Sequence, residues 1–309
     1  MPLFNASTKA ASAAITEIAD AVGASGDSEM TTRAFRSLNA AIQYLNSRAN
    51  WDFLLTEASP SGVFAPFSVG GVSASAGQTS ANAPASHGFL VDDLVSFTGL
   101  LAGTRISATA ATSVTFNSTI RDTIGTGVQV VTASVTRDTY ALPSDWKAPY
   151  TVRLFGVPIT LRPIRRRFYD RSISNEFNTS TPLGYDVFHV GGKGKLRLLP
   201  PPAAADTMQL RYYRRMAVAT ASADGTALDI PQDYEQYLIA WAKWHFIMDK
   251  GEGRSEQGQT WMAFAQEGIK TMLSDQARLP DEDLMFLPGA WTYDPASGPN
   301  STRGTDWDY

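Results

Sequence analysis

The 309-residue sequence predicts an α+β fold: a four-helix core with flanking antiparallel strands, an inserted β-rich module and an extended C-terminal arm. Three observations predict it. Apolar residues recur at steps of three and four in two distant stretches, 11–49 and 229–276, the period of helices with a buried stripe. Between Pro60 and Asp138 there is no lysine, and Ala, Ser, Gly, Thr and Val dominate, a composition of short strands and turns. Beyond Ala277, prolines and scattered aromatics replace the helical period. The boundaries follow: 1–59 and 139–278 for the helical core with a strand meander, 60–138 for the inserted module, and 279–309 for the arm.

In chain order, Ala11, Ala14, Ile15, Ile18 and Val22 mark a first helix, capped by Ser7 or Thr8 and stopped by Gly23. Phe35, Leu38, Ile42, Leu45 and Ala49 mark a second, which begins near Ser28 and completes a helical hairpin. Trp51, Phe53 and Leu55 alternate as a strand does. In the module, runs at 89–91, 94–98, 113–116 and 128–135 read as strands, separated by glycines such as Gly99, Gly103, Gly125 and Gly127. The small-residue run from Val69 to Ser86 also fits a low-complexity linker. After a capped turn at Leu142 to Asp145 come strands near Val152 and over 185–190, 195–199 and 208–215. In the last, Met208, Leu210 and Tyr212 face one side and Gln209, Arg211, Tyr213 and Arg215 the other, a half-buried meander.

The chain is organised around the third helix. Pro231 suits its opening, Asp233 and Glu235 complement its dipole, and Lys250 with Gly251 closes it. Tyr234, Tyr237, Leu238, Trp241, Trp244 and Met248 keep the 3.6 period, yet Ile239, Ala242, Phe246 and Ile247 make the other side apolar too. Such a helix is buried on more than one flank, by the rest of the chain or by another subunit. A fourth helix, with Trp261, Phe264, Ala265, Ile269, Met272 and Leu273, covers one flank only.

A net charge of -4 argues against a general nucleic-acid or membrane-surface binder. Without cysteine there is no disulfide framework, thiolate cluster or cysteine nucleophile. The opening residues lack a signal-peptide pattern, and no apolar run is long enough to span a bilayer. Charged residues are 18% of the chain, which leaves a largely neutral exterior beside seven tryptophans and eleven tyrosines, the habit of an assembly component.

His87, His189 and His245 fall on a loop, a strand and a helix with no metal-ligand spacing, so no metal or other cofactor is expected. The glycines around Lys193 lack the spacing of a phosphate loop and read as a hairpin turn. No nucleophile elbow occurs, and no catalysis is expected. The dense basic run Arg162, Arg165, Arg166, Arg167 and Arg171, interleaved with Phe168 and Tyr169, suits either phosphate backbones or the acidic surface of a neighbouring copy, and the acidic chain favours the second. In the arm, Leu284, Phe286, Trp291, Tyr293, Trp307 and Tyr309 stand in an acidic context, the pattern of a segment that orders either on docking to a neighbour or by folding back on its own domain.

The order of signals resembles a known family. Trp51-Asp52-Phe53-Leu54 ends the hairpin, and Tyr140-Ala141-Leu142-Pro143-Ser144-Asp145-Trp146 follows the module. Pro182-Leu183-Gly184-Tyr185, Leu196-Arg197-Leu198-Leu199-Pro200-Pro201-Pro202, Leu210-Arg211-Tyr212-Tyr213 and Asp229-Ile230-Pro231 complete the set. Over roughly Ala11 to Ser59 and Tyr140 to Ala277 the chain resembles the head-to-tail adaptors, the connectors or tail tubular protein A type, of short-tailed bacteriophages.

That resemblance implies a structural protein of the virion, assembled in the host cytoplasm and placed in the neck between capsid and tail. It implies a ring, usually of twelve copies, that joins the portal protein to the tail nozzle protein. Double-stranded DNA would pass through its lumen as cargo, with no membrane contact. Tyr237, Trp241, Trp244, Arg165, Arg166 and Arg167 are then expected between subunits, the arm on the portal, and Phe89, Asp92 and Asp93 on the nozzle or a tail fibre. The rival reading is a tail-associated protein whose module binds fibres or host glycans.

Overall fold

The computed structural model describes residues 5–21, 23, 26–59, 61–121, 127–156, 159–164, 179–190, 193–249 and 255–278. The fold is mixed α+β, with helices and largely antiparallel sheets, and the chain divides into two compact units. One comprises 1–53 and 216–309, the other 54–215. In this division the strand meander falls with the inserted module.

The helical unit begins with a backbone zipper. The Ser7 N–H donates to Ile230 O, the Leu228 N–H to Lys9 O and the Gln232 N–H to Asn5 O, at 2.9–3.1 Å. Helix α1 (Ala11–Asp20) therefore has no side-chain cap. Its first N–H groups, on Ala11 and Ser12, donate to the carbonyls of Thr226 and Asp224, both at 2.9 Å. This corrects the expected Ser7 or Thr8 cap: Ser7 Oγ accepts from the Lys9 N–H instead. The supporting loop is shaped by Asp224, whose carboxyl the Thr220 N–H and then the Thr226 groups hold well below the usual range. Gly23, at φ 71°, ends the segment as expected, its N–H on Asp20 O.

Helix α2 (Ser28–Arg48) is capped by Asp27, whose carboxylate accepts the N–H groups of Glu29 and Met30. The strand expected at Trp51 is instead a 3-10 turn, Asp52–Leu54, with a short strand β1 (Leu55–Glu57) after it. Trp51 explains the difference: its indole is buried and donates to Leu45 O, which draws the chain back onto α2. A second 3-10 turn, Gln232–Tyr234, sits between Pro231 and helix α3 (Glu235–Asp249). Lys250 and Gly251 lie outside the described residues. Helix α4 (Glu256–Arg278) follows.

Helix α3 packs on α1, α2 and α4. Its two-sided apolar pattern is answered within its own chain. Trp241 is only 7% exposed and stacks on Tyr44 of α2, ring centroids 4.0 Å apart. The α3–α4 contact is close because Gly268 carries no side chain: a Cβ there would lie 2.1 Å from Tyr237 Cγ.

In the β unit, strands β3 (Phe67–Ser75), β4 (Ser80–Asn82), β5 (Leu94–Ser96), β6 (Ile106–Ala110), β7 (Ser113–Phe116) and β8 (Val128–Thr136) form one sheet in the order β5-β8-β3-β4-β7-β6. Its first strand is bridged to the residues just before its last, Leu94 to Arg105, with the Val95 N–H on Thr104 O. The sheet closes into a small barrel. Two of these strands occupy the run that fitted a linker, because Val69, Val72, Ala74, Ala81 and Ala83 all point into the barrel core. Small residues suffice where the interior is narrow. Residues 89–91, by contrast, form no strand.

Two further sheets share a second core built on Tyr140, Trp146, Val152, Leu196, Leu198 and Leu210. One runs β1-β15-β10-β11, with β2 (Ser61–Val63) also on β15 (Asp206–Arg214), β10 spanning Trp146–Leu154 and β11 Ile159–Thr160. The other runs β12-β13-β14-β9, from Arg162–Pro163 through Gly184–Val190 and Lys193–Leu199 to Thr139–Ala141. The β13–β14 pair carries the expected hairpin around Lys193, Val190 facing Lys193 in register. The β12–β13 pair is parallel.

Candidate functional site

The barrel and the sheets beside it are joined by a chain of ion pairs around the loop Ser86 to Asp93. The Asp93 carboxylate, 2% exposed, accepts Arg137 Nε at 2.8 Å, Arg137 Nη2 at 2.9 Å and the Leu90 N–H at 2.8 Å. The bond to Asp93 raises the Arg137 pKa above its usual value, despite burial. Arg137 Nη2 also donates to Gly88 O. Next to it, Asp138 takes both terminal nitrogens of Arg105, at 2.8 and 2.7 Å, and Arg105 reaches back to Asp92 O. Lys195 on β14 pairs with the Asp92 carboxylate.

His87 closes the other side, with Nε2 2.9 Å from Ala110 O and Nδ1 accepting the Phe89 N–H at 3.0 Å. Ser86 and Asp92 sit at positive φ, 65° and 75°, which non-glycine residues adopt only when their surroundings impose it. The loop is thus held rigid, and what it presents is Leu90, 52% exposed, and Val91, 46% exposed. Of the expected contact residues, Phe89 and Asp93 face inward and Asp92 is partly covered. Phe89 is 3% exposed in the barrel core, and Asp93 is spent on Arg137. Asp92 is half-buried against Lys195. An exposed apolar pair next to one half-buried and one buried acid was the missed signal.

The helical unit offers a second surface. Positions 237, 241, 244 and 248 line one stripe of α3, where Tyr237 and Trp244 are half-buried and Met248 is 47% exposed. Trp241 lies beneath them, between Tyr44 and Trp244, and Arg48 stands 4.2 Å over the Tyr44 ring. Phe264 of α4 packs against Tyr237 and stays 40% exposed. Of the three expected subunit residues on α3, two keep surface to offer, while the premise that Trp241 lacks cover from its own chain does not hold. Met248 and Phe264 join them. Arg165, Arg166, Arg167 and the arm residues Leu284 to Tyr309 lie outside the described residues.

A third surface is the outer face of β15 and β10. Arg153, Arg211 and Arg215 are exposed there, with Tyr150 and Tyr213 edge to face at 5.7 Å. Burial, then the nearby Arg215, lowers the pKa of Lys147. Glu57 pairs with Arg211 at 3.4 Å.

A tightly held loop, an aromatic stripe and a basic sheet face are thus three surfaces among the described residues. The family model described as SU10 adaptor protein matches residues 111–283, just over half of the chain, and the chain belongs to that family. It is accordingly a phage head-tail adaptor, a structural component of the virion. A comparison with curated proteins gives no match. No helix among the described residues is long and apolar enough to cross a membrane.

Proposed function

We propose that this adaptor is a ring-forming connector of the short-tailed type, joining the portal to the tail nozzle in the virion neck and letting DNA pass through its lumen without catalysis. The four helices act as one core, and copies meet side by side along them. The observation that carries this reading is the stripe Tyr237, Trp244, Met248 and Phe264, a line of large apolar side chains left partly open on an otherwise well-packed helix pair. The rigid tip Leu90–Val91 is the contact for the nozzle or a fibre, preorganised so that little ordering cost falls on binding. The arm fastens to the portal through its aromatic residues.

Mass measurement of the purified full chain, alone and with portal protein, tests this. The wild type gives a closed oligomer in at least one condition. The Met248→Ser/Phe264→Ser variant, changed at the two most exposed positions of the stripe, stays folded and loses the oligomer, and deletion of 291–309 abolishes portal binding. A double variant that assembles like the wild type would sink the stripe as an interface. Retention of cell-surface glycans by the full chain, lost on Leu90→Ser/Val91→Ser, would favour the rival reading.

A further inference from the structure

The two units carry opposite charge. Residues 54–215 hold sixteen Lys and Arg against ten Asp and Glu, a net of +6, while 1–53 with 216–309 hold ten against twenty, a net of -10. Residues 279–309 supply one arginine and six acids of that total, so the helical unit is at -5 even without them. The overall -4 hides a strongly dipolar chain.

Part of the basic excess has a defined place on the fold, among the described residues. Strand alternation sends Met208, Leu210 and Tyr212 of β15 into the core and puts Gln209, Arg211 and Tyr213 outside, while Arg153 opposes Gln209 and Thr151 opposes Arg211 on β10. Arg215, the residue just after β15, is exposed and lies near Lys147. Among the described residues of this face the one carboxylate is Glu57, held by Arg211 and Gln209.

We propose that this sheet face, through Arg153, Arg211 and Arg215, docks on the acidic helical unit of a second copy of the chain. The inference rests on the ring reading and says how the ring closes. A basic face repels its own image, so a two-fold contact between like patches is disfavoured, and pairing with the opposite unit is head to tail, the arrangement that closes rings. Nucleic acid fits less well. Tyr150 and Tyr213 are packed against each other rather than open for base stacking, and every copy brings an acidic unit at equal concentration.

The test uses the full chain. Arg153→Glu/Arg211→Glu/Arg215→Glu is expected to abolish the wild-type oligomer in analytical ultracentrifugation, with an unchanged thermal melt, and the corresponding triple lysine variant to retain it. Raising salt from about 0.01 M to about 1 M, which shortens the screening length from roughly 30 Å to roughly 3 Å, dissociates the wild type. In a mixture of isotopically light and heavy lysine variant, zero-length amine–carboxyl cross-linking then joins positions 153, 211 and 215 of one copy to acids of 1–53 or 216–309 of another. Oligomers of wild-type size from the glutamate variant, or cross-links between copies that avoid the helical unit, overturn this pairing and leave the ring reading intact. DNA retention lost in the glutamate variant with assembly unchanged assigns the face to nucleic acid and overturns it too. Failure of the wild type to oligomerise even with portal protein removes the ring reading itself and this pairing with it.

Discussion

Removing the Asp93 carboxylate would strand the Arg137 guanidinium among buried groups and release the Leu90 N–H, so Asp93→Ala is expected to destabilise by about 3–5 kcal/mol. The size comes from the orphaned charge more than from the lost attraction. Asp93→Ala/Arg137→Met should therefore recover much of the loss, because replacing both partners leaves nothing buried and unpaired. Urea unfolding of the two variants measures the difference. A double variant as unstable as the single one would mean that the bond to Leu90, and not the ion pair, holds the loop. The family resemblance put Asp92 and Asp93 among the expected contacts. What turns Asp93 inward is Arg137, 44 residues further on, a partner that no local pattern displays.

At the scale of the elements, Gly268 decides how closely α3 and α4 approach. In an exposed helix interior, Gly→Ala gains about 1 kcal/mol, whereas overpacking a contact costs about 1–3 kcal/mol. Here the added methyl would meet the Cγ, Cδ1 and Cβ of Tyr237, atoms near the root of a side chain that cannot swing clear. Gly268→Ala is expected to lower the melting temperature, and to raise it in a Tyr237→Ala background, as differential scanning calorimetry would show. The same scale marks what could be read in advance. The periods of α1 to α4, β7, β8 and the 185–215 meander were legible because each buries a regular stripe of bulky residues. The strands β3 and β4 were not, for their inward residues are largely alanine and valine among serines, indistinguishable from a linker until the barrel supplies the other wall. The cap of α1 was hidden for a related reason, its acceptors being carbonyls more than 200 residues away in sequence.

Across the whole molecule, four tyrosines couple stability to alkaline pH. Burial first raises Tyr140, Tyr185, Tyr212 and Tyr234 to about 12, and Tyr212 and Tyr234 also donate to the carboxylates of Asp145 and Asp275 at 2.8 and 2.9 Å. An unfolded phenol ionises near 10. The stability gained by keeping these groups neutral is complete below pH 10 and is lost as pH rises through about 12, since the unfolded chain sheds its protons first. Unfolding free energies measured between pH 9 and 12 should fall, and Tyr212→Phe and Tyr234→Phe should each make that fall shallower. An unchanged slope in both would show that their phenols ionise alike in either state.

The zipper between residues 5–11 and 226–232 has a consequence for biosynthesis. A ribosome delivers 54–215 as an uninterrupted stretch, so the β unit has all of its strands in hand early. The first two helices emerge ahead of the β unit and then wait, the carbonyl partners of α1 and the covering helix α3 still untranslated. Nascent chains stalled short of Ile230 should show protease-resistant β structure and a digestible N-terminus, with protection of the latter arriving only once α3 has left the exit tunnel.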